Sequence, residues 1–543
     1  MRSQSKTPSA ARPDPTQSQS QAMPALDIGN VKDRLHSALD DAIVFCQNDS
    51  DANQTFFVFE KSLIPFLFAI ARLLIQLYLV NRHKQLDVRP HLKDGKYRVA
   101  DANAERTLST AYGDVIYQRA YLSPRSGGVG FHPLDMILGL TRDKLTPYVI
   151  QFVANLATRM SFGSARKVFA MAFSWAPSQE TIEQCVLGMG RFAAAFVGQQ
   201  PAPKDDGDVL IIEIDCKCVP TATEEELKKR KKKRCKGQKC KCCQRHRGKA
   251  KRKARGPKKR RKKGDKSKNG KQAMLVVMYT LKRGEDGKLH GPINKREWGT
   301  FAGRATALLW AQAEAKKRGF GPESGKIIQV VMDGDKNFRR LVKEYFPMAK
   351  VTLDIFHMIE RLWELGRHFH PEGSEKLREL VETWKDDLYK GRAENLLAKF
   401  KKILSDASKH GPGTKGRRKN LEKQIGYMEP RLSMMNYAEL RREDMVIGSG
   451  QVEGGVRHVI GQRMDSAAMR WVREKAEAML QLRCIMINGD WEAFASWHAE
   501  QRWRELAERG RVRVMTDQGI PLPMADEPTS TERKKPNTRK KAA

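Results

Sequence analysis

The sequence predicts an α/β fold, and three observations lead to it. First, β segments follow one another: "DVLIIEIDCKCVP" is one strand, and "QAMLVVMYTLKRGEDGKLH" supplies a second strand, a turn and the start of a third. Second, the pattern then alternates: an amphipathic helix in "GRATALLWAQAEAKKRGF", a strand in "KIIQVVMD", a short helix in "KNFRRLVKEYF", a strand in "AKVTLDIF" and a helix in "HMIERLWELGRHF". Third, two of the apolar strands stop on acids, Asp215 and Asp333. A doubly wound nucleotide-binding sheet would alternate strand and helix from the start. Three strands before the first helix is instead the ribonuclease H-like, integrase-like order.

The rest of the chain is laid out around that core. Residues 1–28 are polar and rich in Pro, Ser and Gln, with no apolar run, and read as a disordered tail rather than a signal peptide. Residues 29–130 read as a mostly helical N-terminal region followed by a β-hairpin at "RTLSTAYGDVIYQRAYL". Within it, Ser62 to Val80 approaches the length of a membrane span, but Pro65 and Arg72 interrupt it. A core or dimerisation helix is expected there, and no membrane partner. Residues 131–200 are helical, and "SFGSARKVFAMAF" with "SWAPSQETIEQCVLGMG" has the outline of a helix-turn-helix for DNA. The core itself is expected over 207–365, with a basic Cys- and Lys-rich insertion at 221–272. A helical insertion should occupy 366–443, core helices 444–500, and a C-terminal helix with a basic tail 501–543.

The formal net charge of +38 over 543 residues implies a polyanionic partner, most simply nucleic acid. More than half of the residues from Lys228 to Lys271 are Lys or Arg. Such a block repels itself and releases counterions from phosphates, so binding through it should weaken steeply with salt. The nine cysteines lack the even spacing of a secreted disulfide framework, which points to a reducing cytoplasm. Cys235, Cys240, Cys242, Cys243 and His246 could form a tetrahedral zinc site or simply stay reduced.

Magnesium takes few protein ligands, mostly carboxylates, and phosphoryl transfer on DNA uses two such ions. In this sheet order the strands ending at Asp215 and Asp333 are neighbours, so their carboxylates should face each other. Glu453, in "GSGQVEGG" near a helix start, is the expected third ligand. Asp335 reads as a helix N-cap, with Ser449 another plausible cap. Asp205, Asp206 and Glu213 read as solvated or edge residues.

The blocks "IIEIDCKCVP", "VVMDGDKNFRRLVKEYFPMAKVTLDIFHMIERLWE" and "IGSGQVEGGVRHVIGQRMDSAAMRW" resemble the three catalytic blocks of bacterial DDE insertion-sequence transposases of the ISKra group. The similarity runs with gaps from about Arg106 to Trp491. It implies an Asp215, Asp333, Glu453 triad holding two Mg2+, for which Mn2+ can substitute. Such an enzyme cuts transposon ends in double-stranded DNA and joins the 3′ hydroxyl to target DNA, acting as a homo-oligomer at the bacterial nucleoid. Asp354 and His357 match the Asp-x-x-His pair of related transposases, in which the histidine supports the metal ligands from behind or contacts the cut strand; the plain alternative for His357 is a helix-start histidine satisfied by Asp354. Arg457, Arg463 and Arg470 suit phosphate contacts. Where the family tends to have Asp-Gly-Lys-Gly, this chain has Asp215, Cys216, Lys217 and Cys218. Two rival functions share these features: a non-catalytic, domesticated nucleic-acid-binding protein, and a ribonuclease H-like nuclease.

Overall fold

The computed structural model describes residues 27–47, 55–225, 270–408, 410, 413–465 and 469–510. The candidate zinc cysteines, His246 and nearly all of the basic insertion lie outside them. The chain divides into two compact units.

The first unit takes in residues up to Val149, Phe173–Trp175 and the chain from Glu500. Its helices α1 (Ile28–Gln47) and α2 (Phe56–Gln85) precede a hairpin of β1 (Tyr97–Thr110) and β2 (Gly113–Pro124). Ala111 and Tyr112 make the turn, with Thr110 paired to Gly113 at a φ of 115° that glycine tolerates. A short helix, α3 (Pro133–Ile137), follows, opened by a proline at its first position.

Helix α2 is the one described helix long and apolar enough to cross a membrane by length and composition. One side is fixed to the hairpin: Arg72 donates to the Tyr112 carbonyl (2.9 Å) and Gln76 to that of Ile116 (2.7 Å). Leu73, Leu79 and Val80 are buried on it, whereas Leu67, Leu74 and Tyr78 are exposed.

The second unit holds Ile150–Ala172 and Ala176–Ala499. Helix α4 (Pro147–Arg159) and α5 (Phe162–Phe173) precede α6 (Gln179–Gln199), whose N-cap Ser178 accepts from the Thr181 amide. Helix α6 buries Ile182, Val186, Met189, Ala193 and Phe196 along one face.

A five-stranded sheet follows, made of β3 (Val209–Pro220), β4 (Gly270–Arg283), β5 (Leu289–Thr300), β6 (Ile327–Met332) and β7 (Lys350–Leu353), in the order β5-β4-β3-β6-β7. The first three strands pair antiparallel, and β6 and β7 add in parallel. Helices α7 (Arg304–Lys317), α8 (Lys336–Tyr345) and α9 (Ile355–Gly366) lie between and after these strands. This is the predicted ribonuclease H-like core, a mixed sheet flanked by helices.

Its strands are apolar because both faces are covered: Leu210, Ile211, Ile212, Val276, Val277, Val330 and Val331 are all fully buried. Helices α10 (Glu375–Tyr389), α11 (Ala393–Asp406), α12 (Thr414–Met428) and α13 (Tyr437–Arg442) then supply Leu377, Trp384, Phe400 and Tyr437 to the same hydrophobic cluster as the sheet. The helical stretch therefore shares the core of the sheet.

The chain returns along β7, where Ile355 donates to the Ile447 carbonyl. It then enters α14 (Gly450–Gly455), which runs through a π-helical turn at Val456–Gly461 into Gln462–Met464. Helices α15 (Arg473–Ile487) and α16 (Trp491–Gly510) close the described chain.

Candidate active site

Three adjacent strands deliver aspartates to one edge of the sheet. β3 and β6 run parallel with Ile214 opposite Met332, and β6 and β7 with Met332 opposite Leu353. The next residue on each strand is Asp215, Asp333 and Asp354. Asp215 is not at the end of its strand, contrary to expectation. β3 continues to Pro220 paired with β4 alone, so Asp215 sits where its parallel partner stops.

Burial raises the Asp215 carboxyl above its ordinary value; the Cys216 amide and His357 act against this, and the charges of Asp333 and Asp354 add to it. Beside it, burial pushes the Cys216 thiol up to about 11.

Asp333 is held by a tight local turn in which its Oδ1 accepts from the Asp335 amide (3.2 Å). Asp335 caps α8 as expected, accepting from the Phe338 amide, and pairs with Arg304 at 3.0 Å. The loop between them is clamped by a residue that sequence reasoning missed. Buried Arg431 donates to the Gly334 carbonyl (2.6 Å) and lies over the Tyr427 ring. A Cβ on Gly334 would fall 2.3 Å from the Tyr427 hydroxyl and 2.4 Å from Arg431 Nε. Gly334→Ala is therefore expected to displace the Asp333 loop and to cost about 1–3 kcal/mol as overpacking, measurable by urea denaturation. Stability unchanged from the parent chain would show that the clamp relaxes freely.

Asp354 is fully buried, yet every donor around it is matched. It accepts from the Phe356 amide, from His357 Nδ1 at 2.6 Å, and from the Ser449 amide and hydroxyl at 3.1 and 2.6 Å. Burial alone would raise its pKa, but these bonds outweigh it and the carboxyl lies below its ordinary value. The same hydrogen bond lifts His357 to about 9, against its partial burial. Ser449 sits at the N-cap position of α14 as expected, but spends its hydroxyl on Asp354 rather than on a backbone amide, tying the end of β7 to the start of α14.

Because His357 has a higher pKa folded than unfolded, its contribution to stability is fully present below about 6.5, the ordinary histidine value, and disappears as pH rises through about 9. Urea midpoints should fall over that window. His357→Ala should remove that part of the slope.

Glu453 projects from α14 and is exposed, its pKa raised by partial burial and by the Asp354 charge. Its carboxylate, Asp354 and His357 each offer a ligand atom, all within 4.8 Å of one another, close enough to hold a metal ion.

Glu213, expected at an edge, is instead 1 % exposed in the middle of the sheet. It accepts from Tyr279 Oη (2.6 Å) and from the Val452 amide (2.8 Å), which fastens the first turn of α14 beside Glu453. Burial pushes its carboxyl up to about 7. Asp206, likewise expected in solvent, is ion-paired with the buried Arg318. Asp205 is exposed and meets Lys282.

The three candidate phosphate-binding arginines part company. Arg457 is exposed and Arg470 half-buried. Arg463 is buried: its Nε donates to the Ala157 carbonyl, and its guanidinium packs on Phe162 and Trp471. A side chain so enclosed serves the interior of the unit, which corrects its reading as a phosphate contact. A π-helical turn at Val456–Gly461 comes just before Arg463.

Comparison with known proteins adds a family signal. A sequence model of the family described as Transposase, of the DDE ISL3 type, matches residues 265–407, a span that contains Asp333, Asp354 and His357 but neither Asp215 nor Glu453. No curated protein matches. Solved structures that match include a Drosophila P element transposase strand transfer complex, 12% identical, with a TM-score of 0.29, covering 65% of this chain and 94% of that one. On the strength of the family match, the chain is a distant relative of the DDE-type transposase and integrase superfamily.

Proposed function

We propose that the chain is a bacterial insertion-sequence transposase, of the ISKra type its three blocks resemble, that cuts element ends and joins the freed 3′ hydroxyl to target DNA. The observation that carries this reading is the parallel register of Ile214 with Met332, which brings Asp215 and Asp333 out on neighbouring strands where β6 stops. In this reading Glu453 is the third acid, carried by α14, whose start is anchored through Glu213 and Ser449.

The donor set suits two magnesium ions. Asp215, Asp333 and Glu453 offer hard carboxylate oxygens; burial raises the pKa of Asp215 and the charges of Asp333 and Asp354 add to it, a repulsion that cations would relieve. Asp354 is poorly placed to join them, since its oxygens already accept from four donors. It acts instead by orienting His357 and the start of α14. Bound ions would supply charge stabilisation for the attacking and leaving oxygens. His357, held as a cation by Asp354, is suited to a phosphate of the cut strand. Arg457 suits a phosphate beyond it, and the basic insertion the wider duplex.

Cytoplasmic location at the nucleoid, work as a homo-oligomer and the absence of a membrane partner belong to the same reading. The test is cleavage and strand transfer on duplex DNA bearing the inverted repeats that flank the gene, with Mg2+ or Mn2+. Cleavage of RNA:DNA hybrids in preference to those ends would favour the nuclease reading. Binding without metal-dependent nicking would favour the domesticated one.

A further inference from the structure

The first unit contains a cavity of about 580 Å³, within the range of roughly 300–1,000 Å³ typical of small-ligand sites. Four arginines line it, Arg106, Arg119, Arg142 and Arg502, against two acids, Asp135 and Glu505, leaving a lining charge of 4 − 2 = +2. His132 adds none, because burial and the Arg119 charge hold it down at about 4.

The excess charge is concentrated at the inner wall. Asp135 is buried and takes three donors: Arg106 at 2.8 Å, Arg119, and the Tyr117 hydroxyl. Arg106 is further satisfied by the Thr141 and Asp143 carbonyls. Arg119 is not: its Nε is buried and makes no hydrogen bond. Two guanidinium groups thus share one carboxylate where water is scarce, and an unmatched buried charge is costly until an anion meets it.

At the mouth, Arg502 is already neutralised by Asp143 and Glu505. Arg142, by contrast, is exposed. Two aromatic side chains belong to the lining, Tyr121 and Phe131; the Tyr121 ring lies tilted against His132, and Phe131 is braced edge-on by Tyr97.

We propose that this cavity binds a nucleotide unit, its phosphate on Arg119 and Arg142 and its base against Tyr121 and Phe131. A guanidinium pair suits phosphate oxygens, and an aromatic wall accepts any base. A free mononucleotide and a single-stranded DNA segment share this chemistry.

The test uses the full chain in enough salt to suppress non-specific phosphate binding, with dAMP, inorganic phosphate and a short single-stranded oligonucleotide as probes. Saturable binding of one dAMP per chain is expected, weakened about tenfold by Arg119→Met and by Tyr121→Ala, the scale of one lost stacking or phosphate contact. Arg119→Met leaves Asp135 bonded to Arg106 and Tyr117; should it still fail to fold, Arg142→Ala at the exposed mouth decides, and is expected to weaken dAMP. An oligonucleotide that displaces dAMP and binds more tightly identifies the ligand as a strand, and dAMP binding alone identifies a free nucleotide. Inorganic phosphate binding as tightly as dAMP, or dAMP affinity indifferent to these substitutions, overturns the proposal. Asp215→Asn should leave dAMP binding unchanged, so this cavity and the carboxylate site stand or fall separately.

Discussion

Asp333→Asn is expected to lower strand cleavage by about 10²–10³-fold, the scale on which one preorganised electrostatic group acts, while DNA affinity changes little. The substitution keeps the side-chain shape and the acceptor oxygen that the Asp335 amide uses, so the turn into α8 survives. What it removes is the negative charge that a divalent cation requires. DNA affinity should persist because it rests on a net charge of +38, much of it in the stretch from Lys228 to Lys271 that the substitution leaves intact. Asp215→Asn and Glu453→Gln should behave in the same way. The measurement is single-turnover nicking of end-bearing duplex beside a binding titration on the same DNA. Nicking that survives in any one variant removes that residue from the metal-binding set.

The second large effect is on folding. Asp354→Ala should destabilise the chain by about 3–5 kcal/mol, as when one partner of a buried charged pair is removed. Four donors lose their acceptor at once: the Phe356 and Ser449 amides, the Ser449 hydroxyl and His357 Nδ1. Because Ser449 precedes α14, the loss should also loosen Glu453. Asp354→Asn, which keeps one carbonyl oxygen, should cost less and mainly return His357 toward an ordinary pKa. Chemical denaturation gives the first quantity and histidine NMR titration the second. An Asp354→Ala chain as stable as the parent would mean that water replaces the carboxylate at little cost.

The order of the sheet was legible because β-branched runs at 209–214 and 327–332 admit few readings, and three strands before a helix leave few topologies. Adjacency of Asp215 and Asp333 follows from that order. The capping role of Asp335 was also legible, since a short polar side chain before a helix has a local partner. Glu213 was not: in sequence it is one acid in an apolar strand, and only Tyr279 from β4 and the Val452 amide, far along the chain, make its burial tolerable. Arg431 and Tyr427 left no signal either, because a charged helical stretch looks alike whether a side chain faces water or a loop 97 residues away. Arg463 misled for a related reason: an arginine past Glu453 reads alike whether it faces a phosphate or, as here, the Ala157 carbonyl, Phe162 and Trp471.

By itself, then, the sequence determined where the strands of the sheet lie, their order, the neighbouring acids Asp215 and Asp333 and the excess of positive charge, because periodicity, turn chemistry and composition act over a few residues. Tertiary structure alone decided which polar groups meet: Glu213 under the helix of Glu453, Ser449 on Asp354, Arg431 on Gly334, Arg119 with half a partner. Those outcomes depend on burial and hydrogen-bond satisfaction between residues up to 239 positions apart, and such pairings are set only when the whole chain has packed.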